Sequence, residues 1–222
     1  MGRLRLSDNG TALTTGVSIT PGAVNLRGMR IQHRDRVWLQ GDAFLPLNLW
    51  QRWPDVTFVH LLNEDVVGRV RFEANELDLR QVSRLTGIDW PLAGTVTGQA
   101  SAEGALRSLK LGGAVRVARG VFPLNWNGAI VRDVDASFTL EGGAIRLDKA
   151  TGRHAGGEFT VTGRLDLKDP REPVLEAAGI GTNASQPFQF MAKGAAAAPA
   201  IEAAGASPFP GNTPSPTAPP AR

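Results

Sequence analysis

The stretch SFTLEGGAIRLDKATGRHAGGEFTVTGRLDL, residues 137–167, decides how this chain is read. Phe138 and Leu140, then Ile145 and Leu147, then Phe159, Val161, Leu165 and Leu167 alternate with polar neighbours. Only the glycine pairs Gly142–Gly143 and Gly156–Gly157 break the alternation. A period of two puts successive side chains on opposite faces of a strand, so this segment reads as strands with one apolar and one wet face. Strands of that kind belong to an antiparallel or solenoidal sheet, not to a parallel sheet buried on both sides.

The same period runs outward in both directions. Leu4 and Leu6, Val17 and Ile19, Val24 and Leu26, and Val37 and Leu39 mark successive strands separated by turns such as SDNG and TPG. Pro46 inside AFLPLNLW points to an edge or a bulge. Val66, Val70, Phe72 and Ala74 share one face while Arg69, Arg71 and Glu73 take the other. Further strands are expected near 93–101, 109–118, 129–140, 144–150, 157–168 and 173–180. One segment departs from the pattern: Leu79, Val82 and Leu85 fall at helical spacing, Asp78 and Gln81 fit a capping box, and Gly87 suits a C-terminal cap. A short helix over 79–86 is therefore expected, capping or plugging one end of the sheet.

GGAVRV at 112–117 recurs as GGAIRL at 142–147 and, more loosely, as GGEFTV from Gly156. The repeating unit is a hairpin or hairpin pair in which Gly112, Gly113, Gly142, Gly143, Gly156 and Gly157 turn or bend the sheet. Such units cannot bury an apolar face alone and must stack into a continuous sheet. Residues 1–183 are assigned to that sheet. Residues 184–222, rich in Ala, Pro, Gly and Ser, are expected to be disordered, apart from a last short strand at Phe188 and Phe190.

Composition excludes several classes. The chain has no cysteine, which removes disulfides, thiolate metal sites and cysteine nucleophiles. Its 24 basic and 21 acidic residues are interspersed and there is no basic stripe with stacking aromatics, so nucleic acid is not an expected partner. MGRLRLSDNG has no apolar core of a signal peptide, and no run of about 18 apolar residues exists to span a membrane.

Candidate chemistry dissolves under the same scrutiny. His33-Arg34-Asp35 copies the start of a kinase catalytic loop without the rest of that signature and reads as a solvated turn. His154 lies between Asp148 and Glu158, yet His33, His60 and His154 are too scattered for a metal site. Asp133 and Asp135 supply far fewer oxygens than calcium takes. Walker and Rossmann glycine patterns are absent from GTVTGQASAEG. The five tryptophans (Trp38, Trp50, Trp53, Trp90, Trp126) suit packing better than a membrane-interface belt. No catalytic residue, metal ligand or cofactor is expected.

From Glu76 the order of pieces becomes familiar. A short helix is followed by WPLAGTVTGQASAEG, in which Leu92, Gly94, Val96, Gly98 and Gly104 recur at set spacing. Gly120 then ends a strand, and a closing hairpin carries Ile145, Leu147, Gly152, Gly156, Gly157 and Gly163. Over residues 77–168 this resembles the AsmA/TamB superfamily of bacterial envelope proteins. The resemblance implies a β-taco, a long and strongly curved, mostly antiparallel sheet forming a half-pipe with an apolar lining. It implies a location in the periplasm of a diderm bacterium and a non-enzymatic part in moving phospholipid from inner to outer membrane. An outer-membrane barrel protein would be a partner, and an inner-membrane anchor would belong to a longer parent chain. On that expectation Phe138, Leu140, Ile145, Leu147, Phe159, Val161, Leu165 and Leu167 line a groove for phospholipid acyl chains. The alternatives are a closed structural or adhesive β-solenoid and, more distantly, a polysaccharide-active β-helix enzyme.

Overall fold

The computed structural model describes residues 2–47, 66–86, 91–105, 108–123, 130–154, 156–169, 172–183, 186–196 and 199–205. They form thirteen strands and one helix. The first five strands are β1 (Gly2–Asp8), β2 (Thr11–Thr20), β3 (Ala23–His33), β4 (Arg36–Leu45) and β5 (Gly68–Asp78). Helix α1 (Leu79–Thr86) follows, then β6 (Ala93–Gly104), β7 (Lys110–Pro123), β8 (Ile130–Gly142) and β9 (Ala144–His154). The last four are β10 (Gly157–Asp166), β11 (Val174–Asn183), β12 (Gln186–Ala195) and β13 (Ala200–Gly205). All thirteen pair antiparallel, each with its sequence neighbours, in a single sheet that does not close on itself. The all-β antiparallel sheet expected from the alternation, with one short helix, is the one found.

Curvature has identifiable sources. Register shifts interrupt seven of the twelve strand pairings, among them Ala74/Leu77, Val117/Gly120 and Arg132/Asp135. Each leaves an extra residue on one strand, which bends that strand and increases its twist. Glu76, Arg119 and Asp133 sit in those three shifts with φ of 54°, 52° and 51°. Helix α1 shows how far the sheet rolls. It touches β6 and also β1 and β2, although β1 and β6 would lie about 24 Å apart in a flat sheet and an eight-residue helix is only about 12 Å long. Asp78 caps it by accepting the Arg80 N–H at 2.9 Å. Leu79, Val82 and Leu85 are half-buried, whereas Arg80 and Arg84 face solvent. Gly87, the expected C-terminal cap, lies outside the described residues.

Two expectations need correction. Disorder was expected from residue 184 apart from a short strand at Phe188 and Phe190; that strand runs over Gln186–Ala195, Ala200–Gly205 is a further strand, and 184–185, 197–198 and 206–222 lie outside the described residues. The Ala- and Gly-rich composition that argued for disorder is what a crowded sheet face accepts, and backbone pairing with β11 holds the strand without large side chains. The second concerns Gly112 and Gly113. Gly142 and Gly156 do occupy hairpin turns, with φ of 59° and 79°. Gly112 and Gly113, by contrast, lie inside β7. Gly113 has φ of 125° and passes so close to the Gln99 backbone of β6 that no Cβ fits.

Candidate functional site

Antiparallel partners share a face, so the register can be followed from strand to strand across the whole sheet. Leu6 of β1 pairs with Leu13, Leu13 with Ile31, Ile31 with Leu39 and Leu39 with Ala74. The row continues through Gly98, Val115, Phe138 and Leu147. It ends through Gly163, Ala177, Ala192 and Ile201 of β13. This row crosses all thirteen strands without one polar side chain. The next residue along each strand gives the adjacent row on the opposite face. That row runs Arg5, Thr14, Arg30, Gln40, Glu73, Gln99 and then Ala114, Thr139, Arg146, Arg164, Glu176, Lys193 and Ala200. The sheet therefore has an apolar track on one side and a charged surface on the other.

Seven of the eight residues singled out from sequence lie on the track face. Leu140, Ile145 and Leu165 form one row, Phe138 and Leu147 the central row, and Val161 pairs with Ala150 in the next. Phe159, opposite Gly152, completes the set. Leu167 falls one residue beyond β10, its N–H donating to the Gly143 carbonyl at 2.7 Å. Phe138, Leu147 and Phe159 pack against a buried cluster of Val117, Val131, Val134, Ala136 and Ala150. The lining is thus half self-packed, with its rings leaning on neighbouring strands.

The rings lean on glycine. Phe72 lies opposite Gly41, Phe159 opposite Gly152, Phe188 opposite Gly181 and Phe190 opposite Gly179. In each pair the ring occupies the space a Cβ on the glycine would need, at 2.7 Å for Phe159 and 2.8 Å for Phe188. Glycine gives the ring a flat floor and the ring shields the glycine backbone from water. Residue reasoning missed this pairing, and it also missed the N-terminal half of the track at Leu6, Leu13, Ile31 and Leu39. The alternation was visible there, but the match between strands requires the bulge positions.

Polar candidates do not assemble. His154 sits on the track face, with Nδ1 3.3 Å from the Ile130 carbonyl. Asp148 is on the other side, accepting from Thr139 Oγ1 at 2.7 Å and Arg146 Nε at 2.6 Å. Those two hydrogen bonds hold its carboxyl below the usual range. Asp133 and Asp135 take separate partners, Arg153 at 3.9 Å and the Arg119 N–H at 3.4 Å. His33 accepts or donates to the buried Thr11 hydroxyl at 2.8 Å and stacks on Trp38 at 4.9 Å. The other four tryptophans lie outside the described residues. No group of three or more His, Cys, Asp or Glu able to hold a metal occurs among the described residues.

Cross-strand ion pairs stud the charged face. Arg69 bonds Glu103 at 2.6 Å and Lys193 bonds Glu176 at 2.8 Å, each a register pair. Both carboxyls are held below their ordinary range by these hydrogen bonds, and Lys193 is raised by Glu176. No helix among the described residues is long and apolar enough to cross a membrane. The class defined by this geometry is an open antiparallel sheet with one continuous apolar face. No known family, curated protein or solved structure matches the chain.

Proposed function

We propose that the chain is a segment of a non-enzymatic groove that shelters phospholipid acyl chains within a bacterial envelope. The observation that carries this reading is the unbroken apolar row over thirteen strands of an open sheet. Twelve strand spacings make a track about 58 Å long. A sheet with one apolar face needs a second layer, and among the described residues only α1 is available, reaching β1, β2 and β6. Sheltering ten acyl methylenes offsets about 8 kcal/mol of transfer from water, with no specific polar contact required. A closed solenoid would bury the same face by closing the sheet, and the open sheet favours the groove. The periplasmic location and an outer-membrane barrel partner rest on the resemblance to the AsmA/TamB superfamily alone.

Photo-crosslinking side chains tests the reading. Placed at Phe138, Leu147 and Val161 in cells, they should capture phospholipid, while Arg116 and Thr139 on the opposite face should not. Capture of protein only from the inward positions, or of lipid only from the outward ones, would overturn it.

A further inference from the structure

The charged face changes character at its last three strands. On β11–β13 that side adds Val174, Ala178, Ile180, Met191 and Ala204 among the polar Glu176, Thr182, Gln189, Lys193 and Glu202. Ile180 is 63% exposed and Met191 57%. Thr160, Ile180, Gln189 and Ala204 form one row, and Thr162, Ala178, Met191 and Glu202 the next. Three hollows meet over these rows. The first, about 890 Å³, reaches from Glu158 and Thr182 to Thr160 and Ile180. The second, about 640 Å³, shares Thr160 and Ile180 with it and extends to Thr162 and Met191. The third shares Thr162 and Met191 and ends at Arg164, Glu176 and Lys193. Together they make one trough lying along the strands, about 20 Å long from Thr182 to Glu176.

We propose that this trough seats an amphipathic α-helix of another protein, parallel to β10–β12. Ala178, Ile180, Met191 and Ala204 make an apolar strip flanked by Thr160, Thr162, Gln189 and Glu202, a pattern that an amphipathic helix matches with its own apolar stripe and polar flanks. The length admits a helix of about 13 residues, which is about 20 Å long. Charge sets its direction. Asp133 and Glu158 outnumber Arg153 at one end of the trough, and Arg146, Arg164 and Lys193 outnumber Asp148 and Glu176 at the other. The positive end of a helix dipole fits the first and the negative end the second. The helix amino terminus therefore lies over Asp133 and Glu158. This surface is on the opposite side from the acyl groove and does not depend on it.

The test uses the full chain and a fluorescein-labelled, amidated 14-residue peptide with Leu at i, i+3, i+4 and i+7 and Lys, Glu and Ala elsewhere. Fluorescence anisotropy should show saturable binding. Ile180→Glu and Met191→Glu should each weaken it at least tenfold, and Ile201→Glu, on the track face, should leave it unchanged. Both weakening substitutions are at exposed positions, and circular dichroism checks that each variant is folded. A benzophenone at the peptide's amino terminus should crosslink near Glu158 and Thr182. Absence of saturable binding, equal binding by Ile180→Glu, or crosslinking near Lys193 would overturn the proposal. So would neutral phospholipid vesicles that capture the native chain but not Ile180→Glu in place of the peptide, since that assigns the trough to a lipid surface. Lipid capture at Leu147 is read separately, so loss of either site is distinguishable from loss of the other.

Discussion

Arg119 has φ of 52°, a left-handed conformation that an L side chain adopts at a cost, and Gly113 has φ of 125° against the Gln99 backbone. These two positions make opposite predictions. Arg119→Gly relieves strain at a bulge, while Arg119→Ala removes the same exposed side chain and keeps the strain. The glycine variant should be more stable than the alanine variant by about 1 kcal/mol, measured as a shift in urea midpoint. Gly113→Ala forces a Cβ into the neighbouring strand and should cost about 2–3 kcal/mol. Equal stability of the two Arg119 variants would show that the bulge tolerates any residue. At this scale sequence reading had mixed reach. It took Gly112 and Gly113 for residues that turn or bend the sheet, because local pattern cannot separate a hairpin glycine from one pressed against a neighbouring strand.

Strands and the helix were legible because each carries its own period. The expected strands at 93–101, 129–140 and 157–168 correspond to Ala93–Gly104, Ile130–Gly142 and Gly157–Asp166, and the helix at 79–86 to Leu79–Thr86. Phe188 and Phe190 marked β12, whereas β13 was hard to see because its Ala and Gly carry little contrast between faces, and its strand state comes from pairing rather than from propensity. Ion pairs between such elements bear on pH. Glu103, Asp148 and Glu176 have depressed carboxyls in the folded chain, from ordinary values of 4.5, 3.8 and 4.5. A depressed folded value favours folding above the ordinary value, and that contribution fades as pH falls through it. Lys193 is raised from 10.5, so its contribution is complete below that value and fades as pH rises past it. Thermal midpoints should therefore be level from about pH 5 to 9 and fall on either side. All four groups are exposed, so the falls should be shallow and blunted by about 1 M salt. Glu176→Gln removes its own acid contribution and the Lys193 contribution together. A chain whose acid slope is insensitive to salt and to Glu176→Gln draws its acid lability from elsewhere.

Across the whole molecule, connectivity sets how the sheet comes apart. Every strand pairs only with its neighbours in sequence, so the fold is close to one-dimensional, like a repeat array. The interior of that array is the richest part: Val117, Val131, Val134, Ala136 and Ala150 are buried on β7, β8 and β9. At the ends, β1 is exposed along its length and the described side chains of β13 are likewise exposed. Opening should begin at both ends and move inward, with no single cooperative step for all thirteen strands. Native-state hydrogen exchange should show protection highest in β7–β9, intermediate in β4 and β11 and least in β1 and β13. Helix α1 adds one exception, because its contacts to β1 and β2 tie strands distant in sequence to β6. Replacing Leu79 and Leu85 with Ser should therefore lower protection in β1 and β2 while leaving β8 and β9 unchanged. Uniform protection across the sheet, or a loss in β8 equal to that in β2, would mean that the thirteen strands unfold as one unit.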